Sequence, residues 1–177
     1  MIIGCLDGNY RTRGKRTINS LPRYMACMRV EKQLQRVLDR EAIKELRYQY
    51  CHTVDRNRWE AFIDLFADDG TIDHGPTNRV FEGRGEIAEF VEELKRDHFC
   101  VHMLHNPVID VDGARASGTW YFEVVQVPTD ETAEWLQGVY DEKYRKVEDT
   151  WKFDTIGIEF NYRGDCCDQS WVPDVVG

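Results

Sequence analysis

The sequence predicts an α+β fold: a cone-shaped barrel with three N-terminal helices packed on a curved, mostly antiparallel sheet. Three observations carry this. Apolar residues recur at the helical period up to about residue 94 and alternate from about residue 100 onward. The later segments are joined by tight turns, which pair neighbours antiparallel and leave one face for the helices. Several of these segments exceed a dozen residues, so the strands must twist and bend as a wrapped sheet requires.

Taken in order, the helical pattern opens at Val30 and continues through Leu34, Val37, Leu38, Ala42, Ile43, Leu46 and Tyr50, a one-sided stripe. It ends near Asp55, followed by the polar break Arg56-Asn57-Arg58. Trp59, Phe62, Ile63, Leu65 and Phe66 predict a short second helix stopped by Asp68-Asp69-Gly70. Residues 71–74 read as a strand and Gly75-Pro76-Thr77-Asn78 as a turn before Val80-Phe81. Gly83-Arg84-Gly85 opens a third helix, with Ile87, Phe90, Val91 and Leu94 on its apolar side. Strands are expected over 100–111, 114–127, 134–147 and 151–162, with Asp112-Gly113 and Glu148-Asp149 as hairpin signals.

A chain of 177 residues accommodates one domain with tails. The domain is placed at 30–163, with a basic leader at 1–29 and a tail at 164–177. The leader holds Arg11, Arg13, Lys15, Arg16, Arg23 and Arg29 against Asp7 alone, and lacks hydrophobic periodicity. It reads as a disordered tail, or as non-native sequence with Met25 or Met28 as the start. The rest carries 17 of the 23 basic and 31 of the 32 acidic groups. So acidic a body repels phosphate backbones, so nucleic acid is not expected as a partner. No apolar run reaches membrane-span length and no secretory leader is evident, so a cytoplasmic location without membrane association is expected. Six cysteines without a CxxC pair read as free thiols.

Three polar residues stand out as candidate chemistry: Tyr50 and Asp55 at the end of the first helix and His102 in the first long strand. A carboxylate can orient an imidazole and raise its basicity while a phenol donates to substrate. Tyr50 and Asp55 sit about 140° apart on a straight helix, so they share a pocket only if Asp55 lies beyond the last regular turn. By spacing alone, Asp55 also reads as a solvated helix-end carboxylate and His102 as a structural histidine. His98, His102 and His105 have zinc-like spacing on a helix, but on a strand His102 and His105 point to opposite faces, so no metal site is expected. Asp73-His74 sits beside a turn, where capping or solvation explains it equally well. Trp120, Phe122 and Val124 share one strand face and read first as core.

Ala42-Ile43-Lys44-Glu45-Leu46 running to Tyr50, then Asp55, Trp59 and Leu65-Phe66-Ala67-Asp68-Asp69-Gly70, resemble the opening of the SnoaL-like branch of the nuclear-transport-factor-2-like superfamily. Gly83-Arg84, His102 with Asn106-Pro107, Val111-Asp112-Gly113, and Tyr140 with Tyr144 and Trp151-Lys152-Phe153 continue the likeness in order. The nearest likeness is to bile-acid dehydratase-like proteins. The resemblance implies Tyr50, Asp55 and His102 as the catalytic set, and a pocket with Trp59, Trp120, Phe122, Val124 and Phe160 as substrate-binding residues. Val124 and Phe160 stand where those relatives carry an aspartate and an arginine, which implies a more apolar cavity. The implied activity is a cofactor-independent lyase, a dehydratase, acting on a hydrophobic small molecule such as a steroid, terpenoid or polyketide. The alternatives are an isomerase or cyclase using the same residues, and a non-catalytic ligand-binding or oligomerisation module. The implied assembly is a homodimer or homotrimer.

Overall fold

The computed structural model describes residues 21–94, 99–127 and 133–165, with side chains from Met25 onward. The chain divides into two units, residues 1–35 and 36–177. Helix α1 spans Leu21–Val54, beginning before the Val30 that periodicity suggests. Its stripe is core-facing only in its later part: Ile43, Leu46, Tyr50, Cys51 and Val54 are buried, whereas Val30, Leu34, Val37 and Leu38 are exposed. Periodicity reports that a helix is two-sided, not that something covers its apolar side. Asp39 fixes the helix to the sheet by accepting from Trp151 Nε1 at 3.0 Å and pairing with Lys146 at 2.7 Å.

The end of α1 is set by backbone hydrogen bonds. Asn57 adopts a left-handed conformation with φ 54°, its N–H donates to Val54 at 3.0 Å, and Arg58 N–H donates to Thr53 at 2.8 Å. That is the Schellman pattern, with asparagine taking the place usually held by glycine.

Helix α2 is only Trp59–Ile63, and strand β1 occupies Phe66–His74. The sequence expectation of a helix running through Phe66 is therefore corrected. Phe153 N–H donates to Leu65 O at 3.0 Å and Phe66 pairs with Phe153, so pairing to the last strand outweighs helical continuation. Asp68-Asp69-Gly70 falls where the register shifts within β1, a bulge rather than a helix stop. A 3-10 turn, Gly75–Thr77, leads to β2, Arg79–Glu82, and α3, Gly83–Leu94, which buries Ile87, Phe90 and Val91.

The long strands follow: β3 Phe99–Asp112, β4 Arg115–Val127, β5 Glu134–Val147 and β6 Thr150–Asp165. Gly113 at φ 60° turns the first hairpin, and Glu148 and Asp149 at φ 48° and 62° turn the last. Among the described residues, one six-stranded sheet has the order β2-β1-β6-β5-β4-β3, antiparallel except where β1 meets β6. Register shifts at His105/Val108, Gln137/Gly138 and Lys143/Tyr144 bend the long strands. The α+β architecture expected from the sequence is the one observed, with helices on the concave face of a curved sheet. Among the described residues no helix is long and apolar enough to cross a membrane.

Candidate active site

Asp55, the first residue past α1, and His102, on β3, are joined by two hydrogen bonds onto one carboxylate, which also accepts a third from Cys100. His102 Nδ1 lies 2.6 Å from Asp55 Oδ1, and the His102 backbone N–H donates to Oδ2 at 3.1 Å. Cys100 Sγ donates to Oδ1 at 3.7 Å. A carboxylate only accepts, so it holds the proton on Nδ1 and leaves Nε2 with its lone pair. His102 and Asp55 side chains are 11% and 16% exposed, which shelters the pair from solvent screening. Burial, reinforced by Asp55, pushes the Cys100 thiol up to about 12, so it serves as a neutral donor.

The helical offset between Tyr50 and Asp55 persists, and His102 bridges it. Tyr50 meets the imidazole edge-on at a ring separation of 6.2 Å, while Asp55 stands behind His102. Tyr50 and His102 line a cavity of about 110 Å³; Asp55 supports it from outside the lining. Burial raises the Tyr50 phenol to about 12, against the opposing charge of Arg47, so the phenol stays protonated as a donor.

The other predicted residues divide. Phe122, Val124 and Phe160 line the cavity. Trp59 and Trp120 do not: Trp59 packs on Phe62 with ring centroids 6.5 Å apart, and Trp120, fully buried, donates Nε1 to the Tyr144 hydroxyl at 3.0 Å. Trp120 shares its strand face with Phe122 and Val124, but its ring is engaged by Tyr144 and, edge-on at 6.3 Å, by Tyr48.

Sequence reasoning overlooked several groups. Tyr140 lines the cavity and stacks on Phe122 at 4.1 Å. Gly138 makes that stack possible, since a Cβ there would meet Phe122 Cζ at 2.6 Å and Glu159 O at 2.0 Å. Arg47 lies fully buried beneath the two tyrosines, its guanidinium carbon 4.0 Å from the Tyr50 ring centre and 3.7 Å from that of Tyr140. Its counter-ion is Glu142, with Nε and Oε1 3.3 Å apart and both side chains wholly buried. Burial opposes the Arg47 charge, but Glu142 together with Tyr140, Cys51 and Tyr50 outweighs it and the guanidinium pKa rises. Burial raises Glu142 as well, and Tyr144 donates to it in a short hydrogen bond. Arg47 was detectable as a cation on the apolar stripe between Ile43 and Tyr50, opposite a strand that alternates Tyr140, Glu142 and Tyr144.

Metal ligation has one candidate cluster among the described residues, Asp55, Cys100 and His102, whose ligand atoms lie within 4.8 Å of one another. Both carboxylate oxygens already accept from protein donors, and the thiol is held neutral, which makes the cluster a hydrogen-bonded dyad with a supporting thiol. His105 points away from His102, its Nε2 3.4 Å from Glu123, and His98 lies outside the described residues.

Helices over a curved sheet with this pocket in the mouth define a cone-shaped α+β domain. Residues 35–156 match the SnoaL-like domain, and the chain belongs to that family. Among solved structures, it is similar to a candidate scytalone dehydratase from Novosphingobium aromaticivorans (23% identity, 73% of this chain and 88% of that one, TM-score 0.69). It is also similar to a hexachlorocyclohexane dehydrochlorinase from Novosphingobium barchaimii (19% identity, 80% and 99% covered, TM-score 0.70). A candidate aromatic ring hydroxylase from Novosphingobium aromaticivorans shares 26% identity over 73% of this chain and 94% of that one, with TM-score 0.68.

Proposed function

We propose that this SnoaL-like chain is a cofactor-independent lyase of the dehydratase kind, acting on a small hydrophobic β-hydroxy carbonyl compound. The observation that carries the reading is the 2.6 Å contact from Asp55 Oδ1 to His102 Nδ1, with the imidazole on the wall of a largely apolar cavity. Neighbouring structures described as dehydratase and dehydrochlorinase support an elimination.

In the proposed reaction His102 Nε2 takes the proton α to the carbonyl, and Asp55 stabilises the imidazolium that forms. Tyr50 donates to the carbonyl oxygen as negative charge develops there. The electron pair of the broken C–H bond becomes the new C=C bond, the C–O bond breaks, and the imidazolium returns its proton to the departing hydroxide as water. General acid–base assistance of this kind contributes roughly 10²- to 10⁴-fold.

A cavity of 110 Å³ limits what is enclosed. A dry cavity of about 150 Å³ admits benzene, so less than a full six-membered ring is enclosed here and the rest of a ring substrate stands in the mouth. A steroid or terpenoid would enter by one ring only. The test is incubation with 3-hydroxycyclohexanone and larger β-hydroxy ketones, following loss of one water by mass spectrometry and, in D₂O, deuterium at the α carbon. Water loss supports the dehydratase; exchange or rearrangement without water loss supports the isomerase alternative. Neither process on any substrate would overturn the lyase reading.

A further inference from the structure

A second imidazole belongs to the same cavity. His74, the last residue of β1, lines it together with His102, at the far end of a chain of aromatic contacts. From His102 the rings run to Tyr50 at 6.2 Å, Tyr140 at 6.2 Å, Phe122 at 4.1 Å, Phe160 at 5.9 Å and His74 at 6.1 Å. The wall is thus closed by hydrophobic rings with one histidine at each end.

The two hydrogen bonds between His74 and Thr77 are satisfied together by one tautomer. Its Nδ1 lies 2.8 Å from Thr77 Oγ1, and the Thr77 hydroxyl donates to the His74 carbonyl oxygen at 3.3 Å. A hydroxyl has one proton to give. With that proton spent on the carbonyl, Thr77 accepts from the ring, so Nδ1–H is the donor and Nε2 is left as a bare acceptor. Burial first, and then Arg79, lowers the His74 pKa, which keeps the ring neutral. A neutral ring with its only N–H committed to Thr77 is no proton donor to a leaving group. What it offers a ligand is a lone pair.

We propose that His74 Nε2 accepts a hydrogen bond from a substrate hydroxyl other than the one eliminated, so that the substrate is a ring-sized ketone carrying an additional hydroxyl on the side remote from His102. This rests on the lyase reading for the word substrate, but the recognition itself is a binding property. The division of labour follows from donor and acceptor types: Tyr50 gives a hydrogen bond to the carbonyl, and His74 takes one from the hydroxyl. Without that hydroxyl, a half-buried acceptor loses its water and gains nothing, which disfavours ligands lacking it.

The test measures binding by titration calorimetry of cyclohexanone, 2-hydroxycyclohexanone and 4-hydroxycyclohexanone, none of which has a hydroxyl β to the carbonyl. Elimination therefore plays no part, and failure here is separable from failure of the lyase reading, which 3-hydroxycyclohexanone tests. At least one hydroxylated ketone is expected to bind about five- to tenfold more tightly than cyclohexanone, the worth of one hydrogen bond. His74→Phe should erase that advantage while retaining cyclohexanone, and His74→Gln, whose amide oxygen accepts, should restore part of it. Thr77→Val, at an exposed site, frees the tautomer and should shrink the advantage without unfolding the chain. Equal binding of all three ketones, an advantage that survives both His74→Phe and Thr77→Val, or no binding of either hydroxylated ketone up to about 10 mM would overturn the proposal.

Discussion

Two buried polar clusters stand on the same inner face of this sheet, and they differ in what reaches them. At the mouth, Asp55, His102 and Cys100 form a hydrogen-bonded group that opens onto a cavity through the imidazole. In the depth of the core, Arg47, Glu142, Tyr144 and Trp120 form a group in which Arg47 and Glu142 have no solvent exposure. The carboxylate at the mouth accepts three protein donors, whereas the Arg47 nitrogens and Glu142 Oε1 meet as charges without hydrogen-bond geometry. Chemistry needs the first arrangement, a charge whose partner can reach a ligand. The second holds two tyrosine rings in place, since Arg47 packs against both Tyr50 and Tyr140. The mouth should therefore govern turnover and the depth should govern stability.

The largest expected effect breaks the mouth. Asp55→Asn removes the counter-ion of the imidazolium and His102→Ala the base itself, so each should lower turnover by about 10²- to 10⁴-fold. The double variant should cost little more than the worse single one, because residues acting as a unit are not additive. Near-normal rates for Asp55→Asn, measured on any substrate found, would detach the pair from the chemistry. Tyr50→Phe removes one donor and keeps the ring over Arg47, so its loss should be smaller than either.

Next in size is the depth. Arg47→Met leaves Glu142 buried without its cation and should cost roughly 3–5 kcal/mol by denaturant titration. Adding Glu142→Gln should recover part of this, because the uncompensated charge is then gone. If Arg47→Met instead left stability intact, the deep cluster would not be the structural half of the pair.

Acid offers a smaller effect, felt at the cavity wall that the mouth opens onto. His74 has its pKa lowered in the folded chain, so its neutral form is favoured by folding. Its contribution is present above the unfolded value of about 6.5 and is lost as pH falls through the depressed folded value. Stability should therefore decline below about pH 6.5, and His74→Gln should flatten that decline. An unchanged pH profile in the variant would mean that burial of His74 is not felt by folding.

Much of the architecture was legible because its signals are local. The hairpins at Asp112-Gly113 and Glu148-Asp149 and the alternation of 134–147 depend on neighbours in sequence, and each appears where expected. The extension of β1 back to Phe66 was not legible, because Phe153 decides it from the far end of the chain. Tyr50, Asp55 and His102 stood out by residue type and position, and the resemblance joined them into one set; spacing alone also left Asp55 as a solvated helix-end carboxylate. Which residues of a strand face reach the cavity was not legible: Tyr140 lines it and Trp120 does not. A strand face is read from sequence as one surface, but which of its residues border the cavity is set by strands that the alternation does not mention.

The smallest effect concerns thiols, and it asks whether the mouth opens at all. Cys27 is exposed on α1, Cys51 is buried between the clusters, and Cys100 is buried beside Asp55. The thiolate is the reactive form. Burial raises Cys51 to about 11, and burial with Asp55 raises Cys100 to about 12, so at pH 8 neither holds appreciable thiolate. Among the three cysteines of the described residues, iodoacetamide followed by peptide mass spectrometry should thus mark Cys27 first and leave Cys51 and Cys100 largely unmodified. Asp55→Asn removes the negative charge that Cys100 faces at 3.7 Å, so Cys100 labelling should rise severalfold. Cys51, whose pKa owes more to burial and Arg47 than to Asp55, should change less. Equal increases at both sites would point to general loosening of the core, and no increase at Cys100 would show that the wall around it, rather than the charge of Asp55, controls its reactivity.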